Sequence, residues 1–163
     1  MGAGKSAVGR AVARLTGRVF TDLDEAIEER QGMTIPEIFS AHGEAEFRRI
    51  EHMELARVTR EHNLVVATGG GAFSSADNRR LIDATGGLSV FLDLPWSAIE
   101  RRLEGKVQGR PKWQDSDQAR RLYDARLADY RTAAIHLSMD GDETVEEIAG
   151  RIEKTLLEIA CVS

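Results

Sequence analysis

The first residues of the chain combine glycines, a lysine and a hydroxyl group. Met1-Gly2-Ala3-Gly4-Lys5-Ser6 precedes a segment with a helical pattern. Gly4-Lys5-Ser6 matches the second half of the phosphate-binding motif G-x-x-x-x-G-K-[ST], in which backbone amides, the lysine and a helix N-terminus hold phosphate oxygens and the hydroxyl binds Mg²⁺. The first glycine of that motif would fall before Met1, so a simple glycine-rich turn is the alternative.

Two carboxylates follow the next short apolar run. Asp22 and Asp24 come directly after Val19–Phe20, and α/β proteins bind ligands at the carboxyl ends of their strands. Alternate residues of an extended chain point in the same direction, so we expect both carboxylates to face one cavity. The alternative is that they cap the helix that follows, which is a usual role for Asp at such a junction.

An arginine, a glutamate and three consecutive glycines come further along the chain. Arg48 and Glu51 are three residues apart in a helical segment and therefore share one face, where a surface ion pair is the simplest role. A valine-rich apolar run leads directly into Gly69, Gly70 and Gly71. Glycines after a buried strand expose backbone amides and let a ligand approach the main chain closely. A flexible turn is the alternative, but it would not need three of them.

These residues need a scaffold, and the apolar pattern indicates one. Short runs rich in Val, Leu and Phe alternate with segments of helical period. The runs are Val19–Phe20, Leu64–Thr68, Ser89–Leu94 and Ile135–Met139. Strand and helix in alternation predict an α/β fold with helices on both faces of a parallel sheet, in three layers.

Local signals support the helices and mark one long loop. Thr34 and Thr144 each stand three residues before a glutamate, which is the pattern of a capping box at a helix start. The last helix shows an apolar residue every three or four positions after Thr144, so we expect one of its faces to pack on the sheet. Gly105–Asp117 has little apolar pattern and by its length is predicted to be a mobile lid.

Length and composition restrict the class of protein. With 163 residues, 42% hydrophobic and 30% charged, the chain is predicted to form one globular domain. The net charge of −5 offers no general attraction to nucleic acid or to anionic lipid. Cys161 is the one cysteine, and no apolar run is long enough to span a bilayer. We expect a cytoplasmic monomer with no nucleic-acid or membrane partner.

The order of these motifs resembles the shikimate kinase family from one end of the chain to the other. Gly-Ala-Gly-Lys-Ser, Asp-x-Asp, Glu46-Phe47-Arg48, Gly-Gly-Gly, Arg110-Pro111 and Arg126-x-x-x-Tyr130 follow one another at compatible spacing. The resemblance implies a small P-loop kinase fold with strand order 2-3-1-4-5. It also implies an enzyme that transfers the γ-phosphate of Mg-ATP to the 3-hydroxyl of shikimate, giving shikimate 3-phosphate and ADP.

On the nucleotide side, the resemblance implies the following roles. Ser6 would bind Mg²⁺ directly and Asp22 through water. Arg110 would come down from the lid onto ATP, where it and Lys5 neutralise phosphate charge during transfer, and Arg102 would stack on adenine. The residues that would wrap the phosphates are Gly2, Ala3, Gly4, Lys5, Ser6 and Ala7.

On the acceptor side, the resemblance implies that Asp24 contacts the hydroxyl of shikimate. A carboxylate there can orient the hydroxyl and take its proton. Arg48 and Arg126 would bind the carboxylate of shikimate through charge-assisted hydrogen bonds, with Glu51 holding the guanidinium of Arg48. The glycines of the substrate site would be Gly69, Gly70 and Gly71.

Some features depart from the family pattern and keep other interpretations open. Lys112-Trp113 follows Arg110-Pro111 where the family usually has two leucines. The fold also has a buried strand before the phosphate-binding loop, so we expect the physiological protein to start about ten residues upstream of Met1. The alternatives are another P-loop small-molecule kinase, such as a gluconate or nucleoside kinase, and a nucleotide-binding module without catalysis.

Overall fold

The structure, a computed structural model, describes residues 2–104 and 116–162. Helices and strands alternate along it, as the apolar pattern predicts. The strands are β1 (Val19–Asp22), β2 (Leu64–Ala67), β3 (Val90–Asp93) and β4 (Ile135–Ser138). The helices are α1 (Lys5–Thr16), α2 (Leu23–Gln31), α3 (Ile35–Val58), α4 (Ala76–Ala84), α5 (Trp96–Glu104), α6 (Ser116–Tyr130) and α7 (Val145–Val162), with a 3₁₀ turn at Ala72–Ser74.

The strands form two parallel pairs. In one pair Val19 lies opposite Leu64, and β1 runs alongside β2 to its end; in the other, β3 and β4 run in parallel over their whole lengths. Over residues 2–104 and 116–162, no strand joins β2 to β3. The strand order implied by the resemblance, without its first strand, gives these same two pairs.

Two apolar clusters hold the layers together. One lies between α2, α3 and the β1–β2 pair, where Leu23, Ile27 and Leu55 are fully buried. The other joins α1 and α7 to the β3–β4 pair, with Val12 and Ile152 buried in it. The last helix, α7, packs largely on α1, and the apolar cluster between them also contains Leu92 of β3 and Leu137 of β4. Helix α1 contacts β1, β2 and α7 and so connects the two halves.

Both predicted capping boxes are confirmed. The Glu37 carboxylate accepts from the backbone amide of Thr34 at 2.7 Å, and Glu147 does the same for Thr144 at 2.7 Å. Helix α3 bends at Gly43, whose φ of 78° is in the left-handed region that favours glycine. The part of α3 after this bend carries Arg48 and Glu51.

The last two residues of the predicted lid, Ser116 and Asp117, lie in the first turn of α6, and the lid itself stays a prediction. The rest of the predicted lid, with Arg110 and Lys112-Trp113, lies outside the described residues. None of the helices in residues 2–104 and 116–162 is long and apolar enough to cross a membrane.

Candidate active site

The glycine-rich segment lies at the start of α1. Gly2 and Gly4 have φ values of 65° and 79°, in the left-handed region. A methyl group on Gly4 would meet no described atom within 4 Å, so it is the backbone conformation that requires glycine here. Helix α1 begins at Lys5, and the first amides of a helix have no partner within it. The geometry is that of a helix N-terminus open to an anion.

Ser6 and Asp22, the two residues to which the resemblance gives a role at Mg²⁺, are in direct contact. The Ser6 hydroxyl donates to Asp22 Oδ2 at 2.6 Å, and Asp22 Oδ1 accepts from the backbone amide of Asp24 at 3.1 Å. Asp22 therefore closes β1, caps α2 and reaches α1. The interpretation of Asp22 as a cap is confirmed. The argument from strand alternation is wrong for Asp24, because Asp24 lies in the first turn of α2.

Asp24 faces the glycine turn. A methyl group on Gly69 would lie 2.6 Å from Asp24 Oδ1, so the carboxylate contacts the backbone there. Burial raises the pKa of Asp24, and the negative charge of Asp22 raises it further, while Lys5 and Arg48 act in the opposite direction. Asp24 is thus a half-buried carboxylate between two cations, one from each side of the site.

Arg48 lies against Gly71. A methyl group on Gly71 would fall 2.7 Å from Arg48 Cζ and 2.6 Å from Nη2. The guanidinium donates to Glu51 Oε2 at 2.9 Å and to Glu44 Oε1 at 3.1 Å. A surface ion pair is the wrong description, because the side chain of Glu51 is only 1% exposed. Burial raises the pKa of Glu51 even though Arg48 counteracts it.

Helix α6 brings a second guanidinium to the same turn. A methyl group on Gly70 would lie 3.4 Å from Arg126 Nη1 and 3.6 Å from the hydroxyl of Tyr130. Tyr130 donates this hydroxyl to the carbonyl of Gly70. Burial raises the pKa of Tyr130, and Arg126 counteracts it. Three consecutive glycines therefore contact, in order, Asp24, the Arg126–Tyr130 pair and Arg48.

Not every predicted residue joins this cluster. Arg102 Nη2 donates to the carbonyl of Gly141 at 3.1 Å, beside an ion pair of 3.7 Å between Arg101 and Asp142. This tie joins the end of α5 to the turn before α7. An adenine-stacking role for Arg102 stays a prediction, and Arg110 lies outside the described residues.

Sequence reasoning missed two residues of α4 that bind the segment just after the glycines. Asn78 Nδ2 donates to the carbonyl of Ala72 at 2.9 Å, and Arg79 Nη1 donates to the carbonyl of Phe73 at 2.7 Å. A serine cap three residues before Asn78 marks the start of α4 and could have indicated the first turn of a helix. Nothing local indicates that these side chains turn back toward the glycines.

Comparisons with known proteins decide the family. The model of the family described as shikimate kinase matches residues 1–157. The chain belongs to the shikimate kinase family. A shikimate kinase from Brucella canis is 38% identical over 159 residues, covering 96% of this chain and 78% of that protein. One from Ruegeria pomeroyi is 40% identical over 155 residues, covering 93% of this chain and 78% of that protein.

Solved structures of the family agree with this fold. Shikimate kinase from Bacteroides thetaiotaomicron has a TM-score of 0.87 at 35% identity, covering 96% of this chain and 93% of that chain. Shikimate kinase from Acinetobacter baumannii in complex with shikimate has a TM-score of 0.85 at 36% identity, covering 97% and 89%. A gluconokinase from Sinorhizobium meliloti reaches a TM-score of 0.54 at 20% identity, a likeness of fold alone.

The predicted family, the P-loop kinase fold and the enzyme class are confirmed by these matches. The chain is an ATP-dependent kinase of the shikimate kinase family, with ATP as its co-substrate. The gluconate kinase alternative has support only at the level of the fold.

Proposed function

We propose that the chain transfers the γ-phosphate of ATP to the 3-hydroxyl of shikimate, and that it binds shikimate against Gly69, Gly70 and Gly71. The observation that carries this proposal is the convergence of Asp24, Arg48 and Arg126 on three consecutive glycines. Because glycines have no side chains, a ligand can lie on the main chain while the flanking charged groups reach it from α2, α3 and α6.

Two guanidiniums suit the carboxylate of shikimate. Arg48 and Arg126 contact neighbouring glycines, and each has the planar donor geometry that matches a carboxylate. Arg48 is already oriented by Glu51 and Glu44, so little side-chain freedom is lost when substrate binds. A local cluster of this kind lets a chain with a net charge of −5 bind an anion.

Asp24 suits the accepting hydroxyl. A general base works best when its pKa is near the working pH, and burial and Asp22 raise the pKa of Asp24 in that direction. Its carboxylate contacts Gly69 and interacts electrostatically with Lys5 of the proposed phosphate site and with Arg48 of the proposed carboxylate site. In the proposed step the hydroxyl oxygen bonds to the γ-phosphorus, its proton passes to Asp24, and the bond from phosphorus to the bridging oxygen of ADP breaks.

The start of α1 suits the phosphates. The amides from Gly2 to Ala7 would hold their oxygens, with Lys5 supplying positive charge. The hydroxyl of Ser6 and the carboxylate of Asp22, 2.6 Å apart, are oxygen donors of the kind Mg²⁺ takes. When bound, Mg²⁺ would neutralise phosphate charge. Arg102 is assigned to adenine and Arg110 to the phosphates, on the resemblance alone.

The substrate assignment is tested with Arg126→Ala. Loss of a charge-assisted hydrogen bond costs about 1.5–3 kcal/mol, so the KM for shikimate should rise roughly tenfold or more while the KM for ATP changes little. Steady-state kinetics by coupled ADP release measure both constants. Arg121→Ala, an exposed change on the same helix, is the matched control. An unchanged shikimate KM in Arg126→Ala would contradict the assignment.

A further inference from the structure

The first turn of α4 is tied to the chain just after the glycine turn by two consecutive side chains. Asn78 donates to the carbonyl of Ala72, and Arg79 donates to the carbonyl of Phe73. Consecutive side chains of one helix thus bind consecutive carbonyls of the segment that follows the glycines. The conformation of that segment is therefore fixed by side chains as well as by its own 3₁₀ hydrogen bonds.

Asn78 also reaches α3. Because its amide nitrogen binds Ala72, its Oδ1 must be the acceptor toward His52, and His52 Nδ1 donates to it at 2.7 Å. Asn78 is only 1% exposed and its hydrogen bond to Ala72 is buried, while the hydrogen bond from His52 is partly buried. His52 follows Glu51, the residue that holds the guanidinium of Arg48. Asn78 thereby connects Ala72, just after the three glycines, to the part of α3 that carries Arg48.

Arg79 reaches α6 in the same way. Its Nη1 lies 3.1 Å from Asp129 Oδ1, and the two side chains are 22% and 34% exposed. Asp129 precedes Tyr130, which donates to Gly70, and lies three residues after Arg126, on the same face of α6. Arg79 thereby connects Phe73, just after the three glycines, to the part of α6 that carries Arg126.

We propose that Asn78 and Arg79 are positioning residues that fix the separation and orientation of Arg48 and Arg126 about the glycine turn. The inference rests on the proposed function, in which these two guanidiniums bind the carboxylate of shikimate. Neither Asn78 nor Arg79 needs to touch substrate for this role.

Such a device has a physical reason in this fold. The two arginines come from helices far apart in sequence, and both lie against glycines, which have no side chains to hold them. A planar carboxylate bound from two sides requires its partners to be placed within a fraction of an ångström. An error of about 1 Å can cost a site as much as 10²-fold. The hydrogen bonds and the ion pair from Asn78 and Arg79 on α4 fix the positions of the two arginines, which the glycines cannot do.

The inference is tested first with Arg79→Met, which keeps the aliphatic stem and removes the guanidinium. We expect the KM for shikimate to rise about fivefold or more, with the KM for ATP nearly unchanged. Asp129→Asn should act in the same direction. Arg80→Met is the matched control, since the adjacent Arg80 pairs with Asp77 inside α4 and not with α6. Thermal melting of each variant confirms that it is folded.

Two readouts separate positioning from a general structural effect. With a shikimate analogue that carries a hydroxymethyl group in place of the carboxylate, Arg79→Met should have much less effect on KM. In the double variant Arg79→Met/Arg126→Ala, the Arg79 change should add little to the Arg126 change, because both act through one contact. An equal loss with both substrates, or full additivity of the two changes, would overturn the inference.

The Asn78 tie is tested from its partially exposed end. His52→Asn keeps an N–H donor near the position of Nδ1 and should preserve the KM for shikimate, whereas His52→Leu cannot donate to Asn78 and should raise it. Equal values for the two variants would overturn this half of the inference. If Arg126→Ala itself leaves the shikimate KM unchanged, it is the proposed function that fails. If Arg126→Ala raises it and Arg79→Met does not, only the positioning role fails.

Discussion

The two ends of the site are built in different ways. The proposed phosphate end consists of six consecutive residues, Gly2 to Ala7, in and just before the first turn of α1, and a hydrogen bond from Ser6 to Asp22 joins it to the end of β1. The acceptor end has no such continuity: Asp24, Arg48 and Arg126 come from three helices and meet on Gly69–Gly71. The first end is a local conformation and the second is a tertiary assembly.

This difference follows from what each end must recognise. Phosphate groups can be held by backbone amides, which a helix N-terminus supplies without any particular side chain. A hydroxyl and a carboxylate on one small ring need a base and two cations at fixed distances, and only tertiary contacts can place these. Changes at the phosphate end and at Asp24, the proposed base, should therefore lower kcat, and changes at Arg48 and Arg126 should raise the shikimate KM.

Asp24 stands where the two ends meet, and its removal should have the largest effect. Asp24→Asn should lower kcat by about 10²–10⁴-fold with both KM values nearly unchanged, because an amide cannot take the proton of the hydroxyl. The raised pKa means that the ionised carboxylate destabilises the fold at neutral pH, so the melting temperature at pH 7 should not fall.

Steady-state kinetics and thermal melting test this prediction together. The control is Asp83→Asn, an exposed carboxylate on α4. Near-normal kcat in Asp24→Asn would remove Asp24 from the proton transfer. A large drop in melting temperature would show that its charge stabilises the fold instead.

Lys5→Met tests the phosphate end and should have the next largest effect. Loss of one preorganised charge at the transferring phosphoryl group should lower kcat by about 10²–10³-fold. The KM for shikimate should change little, because the groups proposed to bind its carboxylate, Arg48 and Arg126, come from α3 and α6 and not from α1. Arg14→Met, on the exposed side of the same helix, is the control. A rise in shikimate KM as large as the fall in kcat would break the division between the two ends.

The same contrast explains what could be predicted from the sequence. The phosphate end can be predicted from the sequence because its residues are consecutive: Gly4-Lys5-Ser6 and the helix after it are local features. The pairing of Ser6 with Asp22 follows from the topology, which brings the end of β1 to the start of α1. The four strands and both capping boxes are likewise local patterns.

The acceptor end could be predicted only in part. The glycines suggest close approach of a ligand, but the groups that approach them in the structure are the protein's own Asp24, Arg48 and Arg126. The burial of Glu51, and the ion pair between Arg79 on α4 and Asp129 on α6, arise only from tertiary packing. A helical period gives the face of a residue, but it does not give its partner fifty residues away.

Substitutions of the neighbouring residues Gly70 and Gly71 test separately the space beside Arg126 and the space beside Arg48. Neither Gly70 nor Gly71 has a positive φ, so alanine fits the backbone at both. In Gly71→Ala the new methyl group would collide with the guanidinium of Arg48, which Glu51 and Glu44 hold in place, whereas in Gly70→Ala it would make ordinary contact at 3.4 Å with Arg126. We expect Gly71→Ala to raise the shikimate KM roughly tenfold and Gly70→Ala to raise it less.

Steady-state kinetics at saturating ATP measure the shikimate KM of both variants, and melting temperatures show whether both fold equally well. The KM for ATP, measured separately at saturating shikimate, should be the same in both. If Gly70→Ala is the more damaging of the two, crowding by bound substrate and not the position of Arg48 governs this turn.

The smallest expected effect concerns the charge around Asp24. If deprotonated Asp24 is the active form, kcat/KM falls as the pH drops through its pKa. Glu28 raises that pKa through its negative charge, after the larger contributions of burial and Asp22. Glu28→Gln removes the charge and keeps the oxygen that accepts from the amide of Ile35 at 2.8 Å, so the acidic fall of kcat/KM should move to lower pH. Salt should diminish the shift, since it screens partly exposed charges.

A pH profile of kcat/KM for shikimate, at low and at high ionic strength, measures this shift against Glu29→Gln, the adjacent exposed carboxylate of α2. The direction is the informative quantity: a less negative surrounding stabilises the carboxylate of Asp24, lowers its pKa and extends activity toward acid. A shift toward higher pH, or an equal shift in Glu29→Gln, would assign the acidic limb to a group other than Asp24. The proton would then have to leave the hydroxyl by another route, and the meeting point of the two ends would lie elsewhere.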